Sequence, residues 1–377
     1  MDFGQTEMER ALAEPLTRFL DEHYDFQVRQ KRLLEPRWRP ALWRALATDL
    51  GVLGAALPED VGGLGGGAAE VGAVMKAFGR RLVLEPYLST VVLGAGLLRA
   101  TGDAGAADLL AAVSAGETTL AVAHAEPQGG YDPANVTTTA IARDDGFVLN
   151  GHKALVLNAA GADHLIVSAR TRGGPADRDG ISLFLLDPAT PGLARRDYRT
   201  IDGGSASDLI LTNVVAPRSG LIGPVDGALP LLERVLDEAT AAVCAEACGV
   251  MGALLDITVE YARQRKQFGR AIAEFQVLQH RMVDMMSDVK QSESLALVAR
   301  LKLESPDRAA AVSAAKSRIG RACRSVSQAA VQIHGGIGIA DETPVSHYFR
   351  RALMIEQQFG SSDYHLDRYE RLQFEAG

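Results

Sequence analysis

Apolar residues recur at three- and four-residue intervals over residues 6–19, 36–50, 69–78 and 231–263. They do so again from Phe275 through Val277, Leu278, Met282, Met285 and Met286. That period predicts helices, each burying one stripe. Between these helical blocks the period shortens. From Thr118 onward, residues 120–126, 136–143, 147–149, 154–157, 164–169, 181–186 and 208–213 read as short strands. Asp145-Gly146 and Asn150-Gly151 are hairpin dipeptides between them. Evenly spaced strands with turn chemistry predict an antiparallel β-barrel or sandwich. A Gly/Pro-rich stretch, 217–230, closes it. The pattern divides the chain into helical 1–117, β 118–225 and helical 226–377, an α+β multidomain fold.

Composition narrows the picture. At 377 residues the chain can bury a sizeable core. A formal net charge of −8 argues against nucleic-acid binding, which calls for a basic face. No apolar run is read as reaching the ~18 residues of a membrane span. Met1-Asp2-Phe3-Gly4 opens without a signal-like core, so a cytoplasmic location is expected. Three cysteines, with Cys244 and Cys248 one helical turn apart, predict reduced buried thiols rather than disulfides. The glycine-rich stretch 57–65 lacks a preceding strand and the G-x-G-x-x-G spacing, so it reads as a connecting loop. His280, His334 and His347 show no metal-ligand spacing, and no metal is expected.

Two stretches carry the chemistry. Tyr261-Ala-Arg-Gln-Arg-Lys-Gln-Phe-Gly269 crowds Arg263, Arg265 and Lys266 at the end of a long helix. Gly269 is expected to take a positive φ and stop that helix. Further on, Gln328-Ala-Ala-Val-Gln332-Ile-His-Gly335-Gly336-Ile-Gly338 breaks a second helix with glycines that bare backbone N–H groups. Bare N–H groups with nearby arginines suit a pyrophosphate. By itself, the corner is equally a helix end with solvated arginines. Arg-x-Gln-Phe-Gly followed by Phe275-Gln276, and then Gln-x-x-Gly-Gly-x-Gly, resembles the acyl-CoA dehydrogenase flavoproteins, and the agreement spans almost the whole chain.

The resemblance implies a helical N-terminal domain, a β domain and a C-terminal four-helix bundle, with FAD and an acyl-CoA thioester. It places Arg265 and Phe268 on flavin-contacting positions. Gln332, Gly335 and Gly336 fall on the segment that meets the cofactor from an adjacent subunit. His124 and Ala125 fall at the isoalloxazine edge, where hydroxyl or small residues are usual; a histidine hydrogen-bonded inside the barrel is the alternative for His124. Leu155 and Leu157 stand where many relatives have Trp and Thr. The implied reaction is α,β-desaturation: a carboxylate removes the α-proton as hydride leaves Cβ for flavin N5. Electron-transfer flavoprotein is the implied acceptor.

Here the sequence departs from the pattern. Gly360, in Phe359-Gly-Ser-Ser-Asp-Tyr364, occupies the usual glutamate's place, and Ala239 the alternative one. Gly360 is expected to keep a backbone N–H for the thioester carbonyl, and an installed glutamate to restore activity only in part. Asp363, Glu238 and Asp237 are the remaining carboxylates, the last two expected to face solvent or pair locally. Asp2-Phe3, Leu84-Glu-Pro-Tyr-Leu88, Ala123-His-Ala-Glu-Pro127 and Phe359-Gly360 resemble the small subunits of two-component enzymes of pimeloyl-CoA and steroid side-chain degradation. The expected partner is therefore a homologous subunit in a heterotetramer. A flavin-binding subunit without turnover, or a homodimer or tetramer with a displaced base, are the alternatives.

Overall fold

A computed structural model describes residues 6–34 and 40–375. Asp2-Phe3 and the start of the helix expected from Pro36, including Trp38, lie outside them. The remaining helices follow the apolar spacing closely. α1 (Glu7–His23) is opened by a capping box in which Thr6 Oγ1 accepts from the N–H of Glu9. α2 (Phe26–Arg32), α3 (Pro40–Thr48) and α4 (Ala68–Arg81) follow. A π-helix, Leu88–Ala95, runs into α5 (Gly96–Thr101), and α6 (Ala107–Ser114) precedes the strands.

The strands are β1 (Leu120–Ala123), β2 (Thr139–Arg143), β3 (Gly146–Leu157), β4 (His164–Arg170), β5 (Ile181–Leu186), β6 (Leu193–Arg199), β7 (Ser205–Pro217) and β8 (Leu221–Ile222). They form one sheet in the order β6-β7-β3-β2-β4-β5-β8, with β1 also on β4. Most pairs are antiparallel, as expected, but β1–β4 and β2–β4 are parallel. Three further expectations are corrected. Asn150-Gly151 makes no hairpin, because β3 runs straight through it. Its other edge stays paired with β7, a register shift at Leu149/Gly151 absorbs the irregularity, and Asn150 Oδ1 accepts the N–H of Asn213. The strand expected over 120–126 ends at Ala123. β6 was not expected at all.

The C-terminal part holds α7 (Leu229–Gln264), a small hairpin of β9 (Lys266–Gln267) and β10 (Arg270–Ala271), α8 (Gln276–Leu301), α9 (Arg308–His334), α10 (Pro344–Gln357) and α11 (Ser362–Glu375). Contrary to the expectation, α7 is long and apolar enough to cross a membrane by length and composition. Its most apolar window is 67% buried within the protein, as in the core helix of a helical domain. Cys244, Cys248 and Cys323 are free and buried. Burial pushes the thiols of Cys244 and Cys323 up to about 12, and that of Cys248 up as well, so none is poised to react.

Packing divides the chain into two units. One comprises residues 1–34, 68–83 and 240–377; the other comprises 35–67 and 84–239. Helices of the 1–117 stretch thus contribute to both. In the first unit α4 and α7 meet backbone to backbone. A Cβ at Gly249 would lie 2.0 Å from the Lys76 carbonyl oxygen, and one at Gly79 would lie 2.2 Å from that of Glu246. Only glycine permits that approach. Glu246 then accepts two bonds from Arg351, at 2.7 and 2.6 Å, fastening α10 to α7. The second unit is built round the sheet, with Phe147, Leu149, Leu165, Val167, Phe184 and Leu209 in its core.

Candidate active site

In the bundle unit the helix ahead of the basic corner ends at Gln264, one residue past the 263 expected from its apolar spacing. Gly269 does not stop it. Phe268 (φ 53°) and Gly269 (φ 81°) instead form the two-residue turn of the β9–β10 hairpin. Two consecutive positive φ values are what a type I′ turn needs. The Arg265 N–H donates to the Tyr261 carbonyl and its own carbonyl accepts from Ile272, at 2.8 Å each, closing the corner. Residues 263–270 are all exposed, and Phe268 is 92% so. The Arg270 guanidinium lies 4.2 Å over the Phe275 ring, which keeps it at the corner.

The glycine stretch comes to the same place. The Tyr261 and His334 rings stack at 4.2 Å, joining the end of α7 to that of α9. His334 Nδ1–H donates to the Ala330 carbonyl, and burial lowers its pKa, so the ring is neutral at pH 7. Gln332, Gly335 and Gly336 are exposed just beyond. Gly335 needs its glycine for φ 65°. Gly336 has neither a positive φ nor any atom within 4 Å of a would-be Cβ, so this chain's own packing does not demand it. The Gly335 N–H donates to the Val331 carbonyl, but the exposed glycine backbone past it, beside four exposed cations, Arg263, Arg265, Lys266 and Arg270, fits a pyrophosphate approaching from outside.

The segment around Gly360 differs from the expectation. Gly360 is buried with φ 124°. Its N–H already donates to the Gln357 carbonyl at 3.3 Å, so it is not left for a thioester oxygen. A Cβ there would lie 2.5 Å from Tyr364 Cδ1 and 2.7 Å from His365 Nε2. His365 donates from Nε2 to the Phe359 carbonyl at 3.0 Å, and burial brings its pKa down to about 3. Lys316, wholly buried, donates to the carbonyls of Glu356 (2.9 Å) and Gly360 (2.6 Å). The partial rescue expected of an installed glutamate therefore gives way to a clash.

The other carboxylates are placed as follows. Asp363 is 88% exposed, 3.6 Å from Arg321. In the sheet unit Ala239 is fully buried, and Glu238 is held by Arg99 and Arg234, each at 3.1 Å. Asp237 does not face solvent but is only 2% exposed.

In the sheet unit, His124 and Ala125 sit just past β1, and Ala125's carbonyl accepts from the Ala154 N–H at 2.9 Å. Burial first and the charge of Lys153 second lower the His124 pKa to about 4, leaving a neutral ring at pH 7. Beneath lies a pair that the sequence reading missed. Lys153 Nζ donates to Glu126 Oε1 at 2.7 Å and to Ser168 Oγ at 3.0 Å, with both charged side chains 0% exposed. Glu126 also accepts from Gln128, from both donors of Thr137 and from the Thr138 N–H. Among the described residues, no group of three His, Cys, Asp or Glu side chains is placed to hold a metal.

Three family models match along the chain: the acyl-CoA dehydrogenase N-terminal domain over 6–117, the middle domain over 121–214 and the C-terminal domain over 227–372. The chain belongs to the acyl-CoA dehydrogenase family, FAD-dependent oxidoreductases that act on CH–CH donors, with that family's helical, β and helical domains. Among its relatives is acyl-CoA dehydrogenase FadE27 of Mycobacterium tuberculosis, 31% identical over 98% of both chains. Another is the 3-(aryl)acrylate reductase of Clostridium sporogenes, 30% identical over 83% of this chain and 85% of that one. The ChsE4-ChsE5 complex of Mycobacterium tuberculosis contains a chain of the same fold, with a TM-score of 0.90 and 29% identity over 100% of this chain and 99% of that one.

Proposed function

We propose that this chain is the base-lacking subunit of a hetero-oligomeric, FAD-dependent acyl-CoA dehydrogenase that desaturates an acyl-CoA thioester at Cα–Cβ. The observation that carries this reading is the buried Gly360, whose Cβ position is taken by Tyr364 and His365. Glu238 is already engaged with two arginines, and Asp363 points to solvent. The similarity to a chain of the ChsE4-ChsE5 complex supports a homologous partner subunit. FAD supplies the two-electron acceptor for the hydride leaving Cβ. The chain's own part is to hold it: Arg265 and the exposed glycine backbone around Gly336 against the pyrophosphate, with Gly335, whose N–H is kept by the Val331 carbonyl, supplying the turn, and Phe268 and Gln332 beside them. His124 and Ala125 meet the ring edge, with His124 neutral. The similarity to a subunit of a caffeyl-CoA reductase–Etf complex supports an electron-transferring flavoprotein as the redox partner.

Purified without a partner and offered saturated acyl-CoAs, the chain bleaches its flavin about 10²–10⁴-fold more slowly than the complete enzyme, the loss expected without a positioned general base. Co-expression with a homologue that keeps its carboxylate restores the rate. Rapid bleaching and turnover by the isolated chain overturn the reading, and then substitution of Asp363, Glu238 and Asp237 in turn identifies the base.

Arg265→Ala weakens FAD retention by about 1.5–3 kcal/mol, the worth of a charge-assisted bond to phosphate. An unchanged flavin dissociation constant shows Arg265 to be a solvated helix-end cation only.

A further inference from the structure

Among the described residues, Leu155 is the one apolar residue of strands β1–β8 with a positive φ. Lys153 pairs with Leu209 and Val156 with Ser207, so Ala154 and Leu155 together stand opposite the single residue Asp208. The result is a β-bulge, and Leu155 within it has φ 54°, a left-handed conformation that a leucine adopts only at a cost. Strand burial would have turned a leucine inward, yet this one is 50% exposed. Bulges re-aim side chains in this way.

A polar clamp holds the bulge. The Leu155 N–H donates to Asp208 Oδ1 at 3.3 Å, and the Tyr198 hydroxyl donates to the same oxygen at 2.9 Å. Burial and this bond raise the Tyr198 pKa, so the hydroxyl stays protonated. On the other side, the Ala154 N–H donates to the Ala125 carbonyl, so the strained leucine and the His124–Ala125 segment share one frame. Strain at an outward-pointing apolar side chain, maintained by side chains on two neighbouring strands, has no evident use in this unit's own core.

We infer that Tyr198 and Asp208 are positioning residues that hold the Leu155 bulge so that its side chain meets the flavin ring beside His124 and Ala125. This rests on the reading of the chain as an FAD-binding subunit. It assigns a role to two residues that touch neither cofactor nor substrate, and a purpose to the strain.

The test uses the full chain with its co-purifying partner and reads FAD dissociation and the visible flavin spectrum beside thermal unfolding. Leu155→Gly relieves the left-handed strain and removes the side chain, so the unfolding midpoint of the FAD-free protein rises while FAD binding weakens about tenfold and the flavin bands shift. Opposite signs in one variant are the signature, because a purely structural leucine would move stability without touching the flavin. Tyr198→Phe and Asp208→Ala weaken FAD binding too, and neither adds to the loss once Leu155→Gly is present. Asp208→Asn, which keeps an acceptor oxygen, binds FAD nearly as the unmodified chain does. FAD binding and bands unchanged in Leu155→Gly, or fully additive losses, overturn the inference while leaving the FAD reading intact. No FAD binding by the unmodified complex overturns both.

Discussion

Lys153→Met lowers stability by about 3–5 kcal/mol, because it leaves the Glu126 carboxylate buried without its counter-charge. Burial pushes the Glu126 pKa up, but the Lys153 charge and the bonds from Lys153, Thr137 and Thr138 outweigh that and bring it from 4.5 to about 2. Lys153 is drawn from 10.5 to about 8 by burial, opposed by Glu126, and stays protonated at neutral pH. The intact pair therefore adds little net stability, while either half without the other is costly. The double variant Glu126→Gln/Lys153→Met should recover much of the loss, and urea unfolding of the four proteins gives the coupling. The pH dependence has a definite sign. A carboxylate whose folded pKa is depressed stabilises above its unfolded value and loses that contribution as pH falls from about 4.5 towards about 2. Lys153→Met should flatten that acid limb. A single-variant cost below about 1 kcal/mol would mean that water reaches the pair.

Gly360→Glu yields a less stable protein and no dehydrogenase activity. The new Cβ meets Tyr364 and His365 at 2.5 and 2.7 Å, and a non-glycine residue must also adopt φ 124°. Overpacking costs about 1–3 kcal/mol and the strained backbone about 1–3 more. The His365–Phe359 bond and the hold of Lys316 on the Gly360 carbonyl stand in the path of any relief. Gly360→Ala separates the effects, since it brings the clash without the charge and should show most of the destabilisation. Denaturant midpoints and flavin bleaching by acyl-CoA check both variants. A stable, active Gly360→Glu protein would show that the turn rearranges freely.

The helices were legible because their apolar stripes are regular, as over 69–78 and 231–263, which fold as α4 and α7. The capping box of Thr6 and Glu9 was equally local but was not read from the sequence. β6 was not, since Leu-Ala-Arg-Arg-Asp-Tyr-Arg lies at a sheet edge, largely exposed, and carries no apolar alternation. Asn150-Gly151 and Gly269 misled for a common reason. A turn dipeptide states what the backbone tolerates, whereas pairing with a distant strand or with the next two residues decides what it does. The absence of an acid at 360 was visible in one letter. That Tyr364 and His365, four and five residues on, fill the place depended on how the turn folds back, and that Lys316 and Lys153 lie buried by the two candidate regions depended on contacts across tens of residues.

The filled turn at Gly360 also bears on how such a chain changes over generations. A glycine codon lies one nucleotide from an acidic one, so an acid at 360 is mutationally close. Structurally it is remote, because Tyr364 and His365 occupy the space that a side chain at 360 would need. On the proposed reading, the turn would act as an evolutionary ratchet: with the neighbours closed over the glycine, reliance on another gene product for the acid would be easier to keep than to undo.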